Sequence, residues 1–469
     1  MVFWLISPDV SGKQLSSRTY IMDKITKLSR RKFLKKAGAA GIAAGLGPAI
    51  IIPGRVRASG QKKTLKILQW HHFVPAFDDW FNNSYVKEWG EKNNTHVIVD
   101  NVGMTSLRSR AAAEISAQEG HDIFFFLSPP SVYENQVIDH REIHEECERK
   151  FGKSIDLALK STYNVKTKKY YGFSDSYVPD PINYRKDLWD DIGMHPDSWD
   201  DIRIGGRKIK QRHGIPIGIG LAPELDTNMI LRSIMASFGA SIQDPEGKLI
   251  LKSKQTLEAI KFVRALYRET MTDEVFTWDA SSNNRQMLAG RGSLTANAIS
   301  ITRTGENQKI PISDRIWLTK AAAGPVRRIG LNHLMDVYVI WKFARNIEGA
   351  KQFLIDYVSQ SRKIFQASEF YNFPCYPDTI PDLNSLISFD TKATPNDKYK
   401  IFEDVTEWTT NVGYPGYANA ATDEIFSKWI ISSMFSQAAS GKMTPENALG
   451  WASNQCRDIF VKWQERGMI

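Results

Sequence analysis

The sequence predicts an α/β fold with parallel strands, and three observations support this prediction. The first is the alternation of strand and helix patterns between residues 64 and 127, which is typical of βαβ units with helices on both faces of a sheet. The second is the apolar run from Ile123 to Leu127, ended by Ser128-Pro129-Pro130, which is typical of a strand buried on both faces. The third is a composition of 42% hydrophobic and 24% charged residues, which excludes disorder, collagen and coiled coil.

The first elements of this pattern follow one another closely along the chain. Strands are predicted at 64–70, 95–100 and 121–127, and helices at 85–93 and 106–119. The 469 residues are enough for two to three domains. No linker rich in Pro, Gly or Ser divides the chain after residue 62, so we expect the domains to be joined by short connections.

Later elements are predicted from helical periodicity and from capping residues. Apolar residues recur at helical spacing between 256 and 268. A strand is predicted from Val337 to Trp341, and Asn346 is placed to cap the helix that follows it. Thr444 followed by Pro445 predicts the start of a last helix.

Residues 1–58 are predicted to be an N-terminal extension that ends in an export signal. Ser29-Arg30-Arg31-Lys32-Phe33-Leu34 precedes a short run rich in Gly and Ala, and Val56-Arg57-Ala58 supplies small residues for a signal peptidase. The paired arginines resemble a twin-arginine (Tat) signal. The sequence therefore predicts a periplasmic protein that is exported by the Tat translocase and cleaved near Ala58, with Met1 or Met22 as the start.

The positive charge of the chain lies in this leader. Residues 1–58 contain 11 Lys/Arg and 2 Asp/Glu, which leaves 50 residues of each sign in 59–469. Without a basic stripe in the mature chain, a nucleic-acid partner is not expected. Cys147, Cys375 and Cys456 allow at most one disulfide, so we expect the hydrophobic core to stabilise the fold.

Four stretches resemble motifs of the family 1 extracellular solute-binding proteins, the binding components of ABC importers. They run from Tyr171 to Trp189, from Pro196 to Ile202, from Gly330 to Val358 and from Ala438 to Leu449. The second reads Pro-Asp-Ser-Trp-Asp-Asp-Ile, where the family has Pro-x-Thr-Trp, an acidic residue, Glu and Leu. The order of these stretches behind an export signal matches the family over nearly all of residues 62–469.

The resemblance implies a two-lobed periplasmic-binding-protein fold, type II-like, with three crossovers and a ligand cleft between the lobes. Residues 62–174 and 326–380 would form lobe one, and residues 175–325 and 381–469 would form lobe two. It also implies a monomer without a cofactor that delivers a small solute, a sugar or polyol, to the transmembrane subunits of an ABC permease. Open α/β sheets independently favour a site at such an interface.

The candidate ligand-binding residues are aromatic and polar residues at strand ends, at the crossings and in turn-containing loops. Aromatic faces can pack on the C–H groups of a sugar, and carboxylates can accept charge-assisted bonds from its hydroxyls. Asn297 stands where many family members have Met, which weakens the expectation of a plain oligosaccharide. The candidates are Trp70, His71, Ser128, Asp175, Tyr177, Trp278, Asn297, Asp336, Tyr371 and Tyr414.

The sequence predicts neither a metal site nor a catalytic site. His71 and His72 would point to opposite faces of a strand. His140, His144 and Cys147 would share a helical face, but their segment is densely charged, and a solvated face is the favoured interpretation. The motifs of serine hydrolases, P-loop proteins, zinc proteases and thiol redox proteins are not found in the sequence.

Two alternatives to a sugar or polyol carrier stay open. One is a secreted enzyme, because the Tat pathway often carries folded cofactor enzymes. The other is a binding protein for a non-sugar solute, such as a phosphorylated polyol or a polyamine. A dominant basic or acidic cluster in the cleft would separate these solutes.

Overall fold

The structure, a computed structural model, describes residues 62–469. The export residues Arg30, Arg31 and Ala58 lie outside this part of the chain. The strands are β1 (Lys63–Trp70), β2 (Thr95–Val102), β3 (Ile123–Phe126), β4 (Tyr163–Asn164), β5 (Lys169–Tyr170), β6 (Ser176–Val178), β7 (Ile182–Arg185), β8 (Leu294–Ala296), β9 (Ile316–Thr319), β10 (Gly330–Leu331), β11 (Leu334–Met335), β12 (Val337–Ile340), β13 (Phe373–Pro374) and β14 (Thr409–Thr410).

The helices follow the predicted caps and periodicities. Asn346 accepts a bond from the Gly349 amide, and Thr444 accepts one from Asn447. The helices are α1 (Pro75–Trp80), α2 (Val86–Lys92), α3 (Leu107–Ala117), α4 (Arg141–Phe151), α5 (Asp156–Thr162), α6 (Lys186–Asp191), α7 (Trp199–His213), α8 (Leu225–Ser237), α9 (Lys254–Thr270), α10 (Ser282–Leu288), α11 (Ser300–Asn307), α12 (Ile347–Val358), α13 (Ser361–Ala367), α14 (Leu383–Ile387), α15 (Val405–Trp408), α16 (Ala420–Ser427), α17 (Ile430–Ala439) and α18 (Pro445–Glu465).

The first sheet has the strand order β12-β3-β1-β2. Strand β1 pairs in parallel with β2 and with β3, which confirms the predicted βαβ units. Strand β12 joins β3 in the antiparallel sense. All four residues of β3 are buried, as expected for a strand with helices on both faces.

Two smaller sheets follow in the chain. Strand β7 lies between β8 and β9, and pairs with both in the antiparallel sense. Strand β6 lies between β11 and β13, again antiparallel to both. This β11-β6-β13 sheet brings together three segments that are distant in sequence.

Most buried apolar side chains belong to two hydrophobic clusters. The first cluster gathers side chains mainly from 65–178 and 331–412, and the second mainly from 182–296 and 420–468. Between the clusters the chain passes three times, at 178–182, 322–331 and 412–420. The clusters also touch, because the first includes side chains from between residues 182 and 322 and from α16, where the second cluster has most of its members. These side chains are Leu225, Met229, Ala298, Ile299, Leu318, Ala321 and Phe426.

The third passage lies later in the chain than the sequence suggested. The expected boundary was near residue 380, whereas Tyr399, Phe402 and Trp408 are buried in the first cluster. Burying such large aromatic surfaces is favourable, so the segment 387–412 stays on the first cluster before the chain crosses.

The apolar face of α4 differs from its predicted environment. His144 and Cys147 are 2% and 0% exposed, and His140, which precedes the helix, is 0% exposed. The expectation of a solvated face was wrong for these three residues, because the charged residues of α4 occupy its other side. Burial lowers the pKa of His140 to about 3 and of His144 to about 4, so both rings are neutral.

Candidate functional site

Trp70, the first candidate, ends β1 inside the first cluster and is 2% exposed. Its ring lies parallel to that of Phe125, with centroids 6.3 Å apart. The ring of Phe73 meets it edge to face at 5.4 Å. At the end of β1, Trp70 therefore packs among aromatic side chains that bury most of its indole.

The next two residues point in opposite directions, as expected for an extended chain. The side chain of His71 is 65% exposed and lies 3.8 Å from Asp78. The ring of His72 is buried, accepts a 2.9 Å bond from the Val74 amide at Nδ1, and donates through Nε2 to Asn372 Oδ1 at 2.8 Å. Burial lowers the pKa of His72 to about 4, so it is a neutral link between β1 and the chain before β13.

Asp175 and Asp336 flank the paired strands β6 and β11. Asp336 Oδ2 accepts bonds from Asn372 Nδ2 at 2.6 Å and from Ser176 Oγ at 3.0 Å. Oδ1 of each aspartate has no hydrogen-bond partner among the described residues. Burial raises the pKa of Asp175 to about 7, and burial with the nearby charge of Asp175 raises the pKa of Asp336. The two carboxyl groups therefore resist carrying two negative charges at neutral pH.

Two candidate tyrosines lie beside this pair, and both are buried. Tyr177 packs on Phe373 across the β6–β13 pairing, with centroids 5.9 Å apart. Tyr371 is 0% exposed, and its ring meets His72 edge to face at 5.0 Å. The Tyr371 hydroxyl has no partner among residues 62–469. Burial raises the pKa of the Tyr371 hydroxyl, and the charges of Asp226, Asp336 and Asp180 raise it further.

Asn297 and Trp278 belong to elements of the second cluster. Asn297 follows β8 and donates through Nδ2 to Asn284 Oδ1 at 2.7 Å, while its Oδ1 accepts a bond from the Ala298 amide. Trp278 is half-buried. A Cβ at Gly218 would lie 2.4 Å from its ring, so the glycine permits close packing. Local contacts therefore hold both side chains on elements of the second cluster.

Ser128, after β3, lies where the two clusters meet. Its hydroxyl accepts a 3.2 Å bond from Arg108 Nη2, and the same nitrogen donates to Asp423 Oδ1 at 2.6 Å. Asp423 Oδ2 accepts a bond from the Val132 amide. Ser128, Asp423 and Phe426 are among the residues that line a crevice too narrow to hold a water molecule. Arg108 and Asp423 were not among the sequence candidates, because no local pattern joins residues so distant in sequence.

Tyr414 lies at the third passage, apart from the other candidates. The guanidinium of Arg327 donates to its hydroxyl and lies 5.9 Å from the ring centroid. The contact between Arg327 and Tyr414 therefore links the second passage to the third.

A charged group that sequence reasoning missed lies at the first two passages. His333 Nδ1 lies 3.4 Å from Asp180 Oδ1, and His333 Nε2 lies 3.7 Å from Asp226 Oδ1. The three side chains are at most 10% exposed. Asn283 Nδ2 holds the other oxygen of Asp226 at 2.8 Å. Glu224 caps α8 by accepting bonds from the Asp226 and Thr227 amides, and this acid before an apolar helix was the one local signal.

The candidates thus divide into groups. Asp336, Tyr371 and Trp70 are joined through His72 and Asn372. Of the remaining candidates, Asp175 and Tyr177 lie beside the first passage, Asn297 and Trp278 on elements of the second cluster, Ser128 where the clusters meet, His71 in solvent and Tyr414 at the third passage.

Within 62–469, no group of three or more His, Cys, Asp or Glu side chains is arranged to hold a metal ion. The three cysteines are free and buried, and burial raises the pKa of Cys147 and Cys456 to about 12, which makes them poor nucleophiles. No helix in this part of the chain has the length and apolar character needed to span a membrane.

Solved structures with the same fold are binding proteins. A sugar transporter from Arthrobacter chlorophenolicus with bound laminaribiose matches with a TM-score of 0.70 and 15% identity, over 84% of this chain and 99% of that one. Maltose-bound MalE3 of T. maritima gives 0.69 and 16%, over 84% and 99%. An ABC transporter solute-binding protein from Agrobacterium radiobacter in complex with ribitol gives 0.68 and 16%, over 85% and 98%. The predicted α/β, two-lobed periplasmic-binding-protein fold is confirmed.

Comparison with sequences gives the family. No curated protein matches the chain significantly. A family model described as bacterial extracellular solute-binding protein matches residues 76–359. That match covers more than half of the chain and agrees with the resemblance seen in its motifs. The chain therefore belongs to the bacterial extracellular solute-binding protein family.

Proposed function

We propose that the protein binds a sugar or polyol between its two lobes and delivers it, chemically unaltered, to the transmembrane subunits of an ABC importer. The observation that carries this proposal is the set of buried polar atoms without hydrogen-bond partners among the described residues, among them Tyr371 Oη and Asp336 Oδ1. Buried polar groups are nearly always hydrogen-bonded, so these atoms are suited to bond a guest. The relatives with bound laminaribiose, maltose and ribitol support the same solute class.

We assign the lobes from the two hydrophobic clusters. Residues 62–180 and 330–412 would move as the first lobe, and residues 182–325 and 418–469 as the second. The hinge is then the set of three passages between them, with β6 and β11 paired at its centre. A solute that binds the closed form better than the open form shifts the equilibrium towards closure.

The free energy of binding that this function needs is modest. A micromolar dissociation constant corresponds to about 8 kcal/mol. Stacking on aromatic rings and several hydrogen bonds within an enclosed cleft reach that value without any chemical step. Binding and release therefore suffice for the proposed role, with the protein acting as a monomer.

A thermal-shift screen of sugars and polyols tests this function. A solute that binds only the folded state raises the melting temperature, by an amount that grows with its concentration over Kd. Laminaribiose, maltose and ribitol are the first probes, with sodium sulfate and alanine as unrelated controls. A concentration-dependent rise with a sugar or polyol supports the proposal. Turnover of a bound solute, detected by mass spectrometry of the recovered compound, would overturn it.

A further inference from the structure

Four of the buried polar atoms that have no hydrogen-bond partner among the described residues are Tyr371 Oη, Asp180 Oδ1, Asp336 Oδ1 and His333 Nδ1. Each belongs to a residue that is at most 4% exposed. Asp180 Oδ1 and His333 Nδ1 lie 3.4 Å apart and face each other as a long ion pair. Because leaving a buried polar group unbonded costs about 1–3 kcal/mol, Tyr371 Oη and Asp336 Oδ1 are suited to bond a group from outside the chain.

The surroundings of these atoms are dominated by carboxylates. Asp180 and Asp226 face His333 from opposite sides at 3.4 and 3.7 Å, which is too long for tight ion pairs. Tyr371 precedes Asn372, whose side-chain amide donates to Asp336 Oδ2 at 2.6 Å, and the charges of Asp226, Asp336 and Asp180 add to burial in raising the pKa of the Tyr371 hydroxyl. Residues from the first passage, from the turn between β10 and β11 and from α8 therefore meet at His333.

The cations near this space do not balance its charge. His333 is the only basic side chain in contact with Asp180 or Asp226 among the described residues. Arg232, on the same helix as Asp226, points elsewhere: its guanidinium donates to the Val412 carbonyl and lies 5.2 Å from the centroid of Phe426. The region thus presents more acceptors and negative charge than donors and positive charge.

This balance discriminates between chemical classes of solute. A phosphate or carboxylate would add negative charge next to buried aspartates, which is unfavourable. A neutral hydroxyl could bond one orphaned oxygen but would leave the excess charge in place. An ammonium group carries three donors and one positive charge, so it satisfies the acceptors and offsets the carboxylates together.

We propose that the solute carries a protonated amine, which Asp180 and Asp226 hold between the lobes with Tyr371 beside them. An amino sugar or an amino polyol has the required combination of hydroxyls and ammonium. The inference rests on the proposed function for the hydroxyl-bearing part of the solute, and adds the charged group that the cleft selects.

The test compares matched probes that differ only at nitrogen. D-Glucosamine is paired with D-glucose and N-acetyl-D-glucosamine, and 1-amino-1-deoxy-D-sorbitol with D-sorbitol; putrescine is paired with 1,4-butanediol. Thermal shift at pH 7 ranks them, and calorimetry measures affinity for those that bind. We expect the amine of at least one pair to bind tenfold or more tightly than its neutral partner.

Variants then assign the preference to residues. Asp226→Asn and Asp180→Asn keep the side-chain volume and remove the charge, and each should reduce the preference for the amine at least tenfold while changing the neutral partner little. Glu258→Gln, on the exposed face of α9 with a half-exposed side chain, is the matched control and should retain the preference. Circular dichroism and the melting temperature of the ligand-free variants check folding, and Asp180→Asn serves if Asp226→Asn does not fold.

The outcomes separate this inference from the proposed function. Equal or tighter binding of the neutral partners overturns the amine proposal and leaves a sugar or polyol carrier. Binding of putrescine alone supports the amine and overturns the sugar or polyol. An amine preference that persists in both aspartate variants overturns the assignment to these residues. If no probe binds, both proposals fail.

Discussion

Trp70, predicted to border the cleft, is a core residue at the end of a strand. It is 2% exposed and packs on Phe125, Phe73 and His72. We therefore expect Trp70→Ala to lower the free energy of unfolding by about 3–5 kcal/mol, the usual cost of truncating a buried tryptophan. Urea denaturation measures this value. His71→Ala, with a side chain that is 65% exposed, is the control and should change stability by less than about 0.5 kcal/mol.

If Trp70→Ala loses as little stability as His71→Ala, the Trp70 indole does not contribute to the hydrophobic core as proposed. If Trp70 also borders the solute, its variant weakens ligand binding by about 1–3 kcal/mol, on the scale of burying one large side chain.

Asp175 makes stability depend on pH. In the unfolded chain an aspartate ionises near pH 4, whereas burial raises the pKa of Asp175 in the folded protein to about 7. The contribution of the protonated group to stability is therefore complete below pH 4 and is lost as pH rises from about 4 to 7. The asparagine of Asp175→Asn cannot ionise. The unfolding free energy of this variant, relative to that of the wild type, should therefore be higher at pH 8 than at pH 5. Urea denaturation at both values measures the gain, and an equal difference at both would contradict it.

For single residues, the sequence predicts the direction of a side chain better than it predicts the side chain's contacts. The opposite directions of His71 and His72 follow from strand geometry alone. The partner of His72 is Asn372, and the partners of His333 come from the chain after β6 and from α8. Such pairings depend on how the passages meet, and no local pattern contains that information.

At the scale of elements, the segment 387–412 is held to α11 by buried ions. Glu306 accepts bonds from Arg303 at 3.0 Å, from Lys398 at 3.0 Å and from the Tyr399 hydroxyl at 2.8 Å. The side chains of Glu306 and Lys398 are 2% and 1% exposed. We expect Glu306→Gln to cost about 3–5 kcal/mol of stability, because it leaves a buried ammonium without its carboxylate. Urea denaturation checks this, with exposed Glu258→Gln as control at under about 1 kcal/mol.

A double variant that restores the balance of charge tests the Glu306–Lys398 ion pair more strictly. Adding Lys398→Met to Glu306→Gln removes the stranded charge and should recover part of the loss. A double variant that is as unstable as the sum of the two single variants would count against a coupled ion pair.

Elements were predictable where the signal is local. The caps at Asn346 and Thr444 and the period of α9 and α18 are written in neighbouring residues, and the structure has these helices. The buried face of α4 was not predicted, because the density of charge in the segment concealed a single apolar side. The position of the third passage depends on contacts of Tyr399 and Trp408 with distant parts of the first cluster, which have no local signature.

At the scale of the whole molecule, the predicted export signal in residues 1–58 can be tested independently of residues 62–469. We propose that residues 1–58 direct Tat export, since Arg30-Arg31 precedes the apolar run and Val56-Arg57-Ala58 ends it. Replacing both arginines by lysine should abolish periplasmic accumulation, measured by immunoblotting of cell fractions. Unreduced export of the variant would refute the Tat assignment. N-terminal sequencing of the exported wild type should begin at residue 59, and another start would move the cleavage site.

We expect the pair of Arg108 and Asp423 to contribute to the balance between open and closed forms of the proposed lobes. Arg108 belongs to α3, whose Leu107 lies in the first cluster, and Asp423 belongs to α16, whose Ile425 lies in the second. Their 2.6 Å bond therefore joins the two lobes, and the carboxylate is 1% exposed. Because an unpaired buried carboxylate is costly, Arg108→Ala should favour the open form and lower solute affinity about tenfold, as a smaller competent fraction requires. Small-angle scattering of the ligand-free variant should give a larger radius of gyration than the wild type. Arg110→Ala, on the same helix with a side chain that is 51% exposed, should not. Equal radii for all three proteins would show that this ion pair does not control closure.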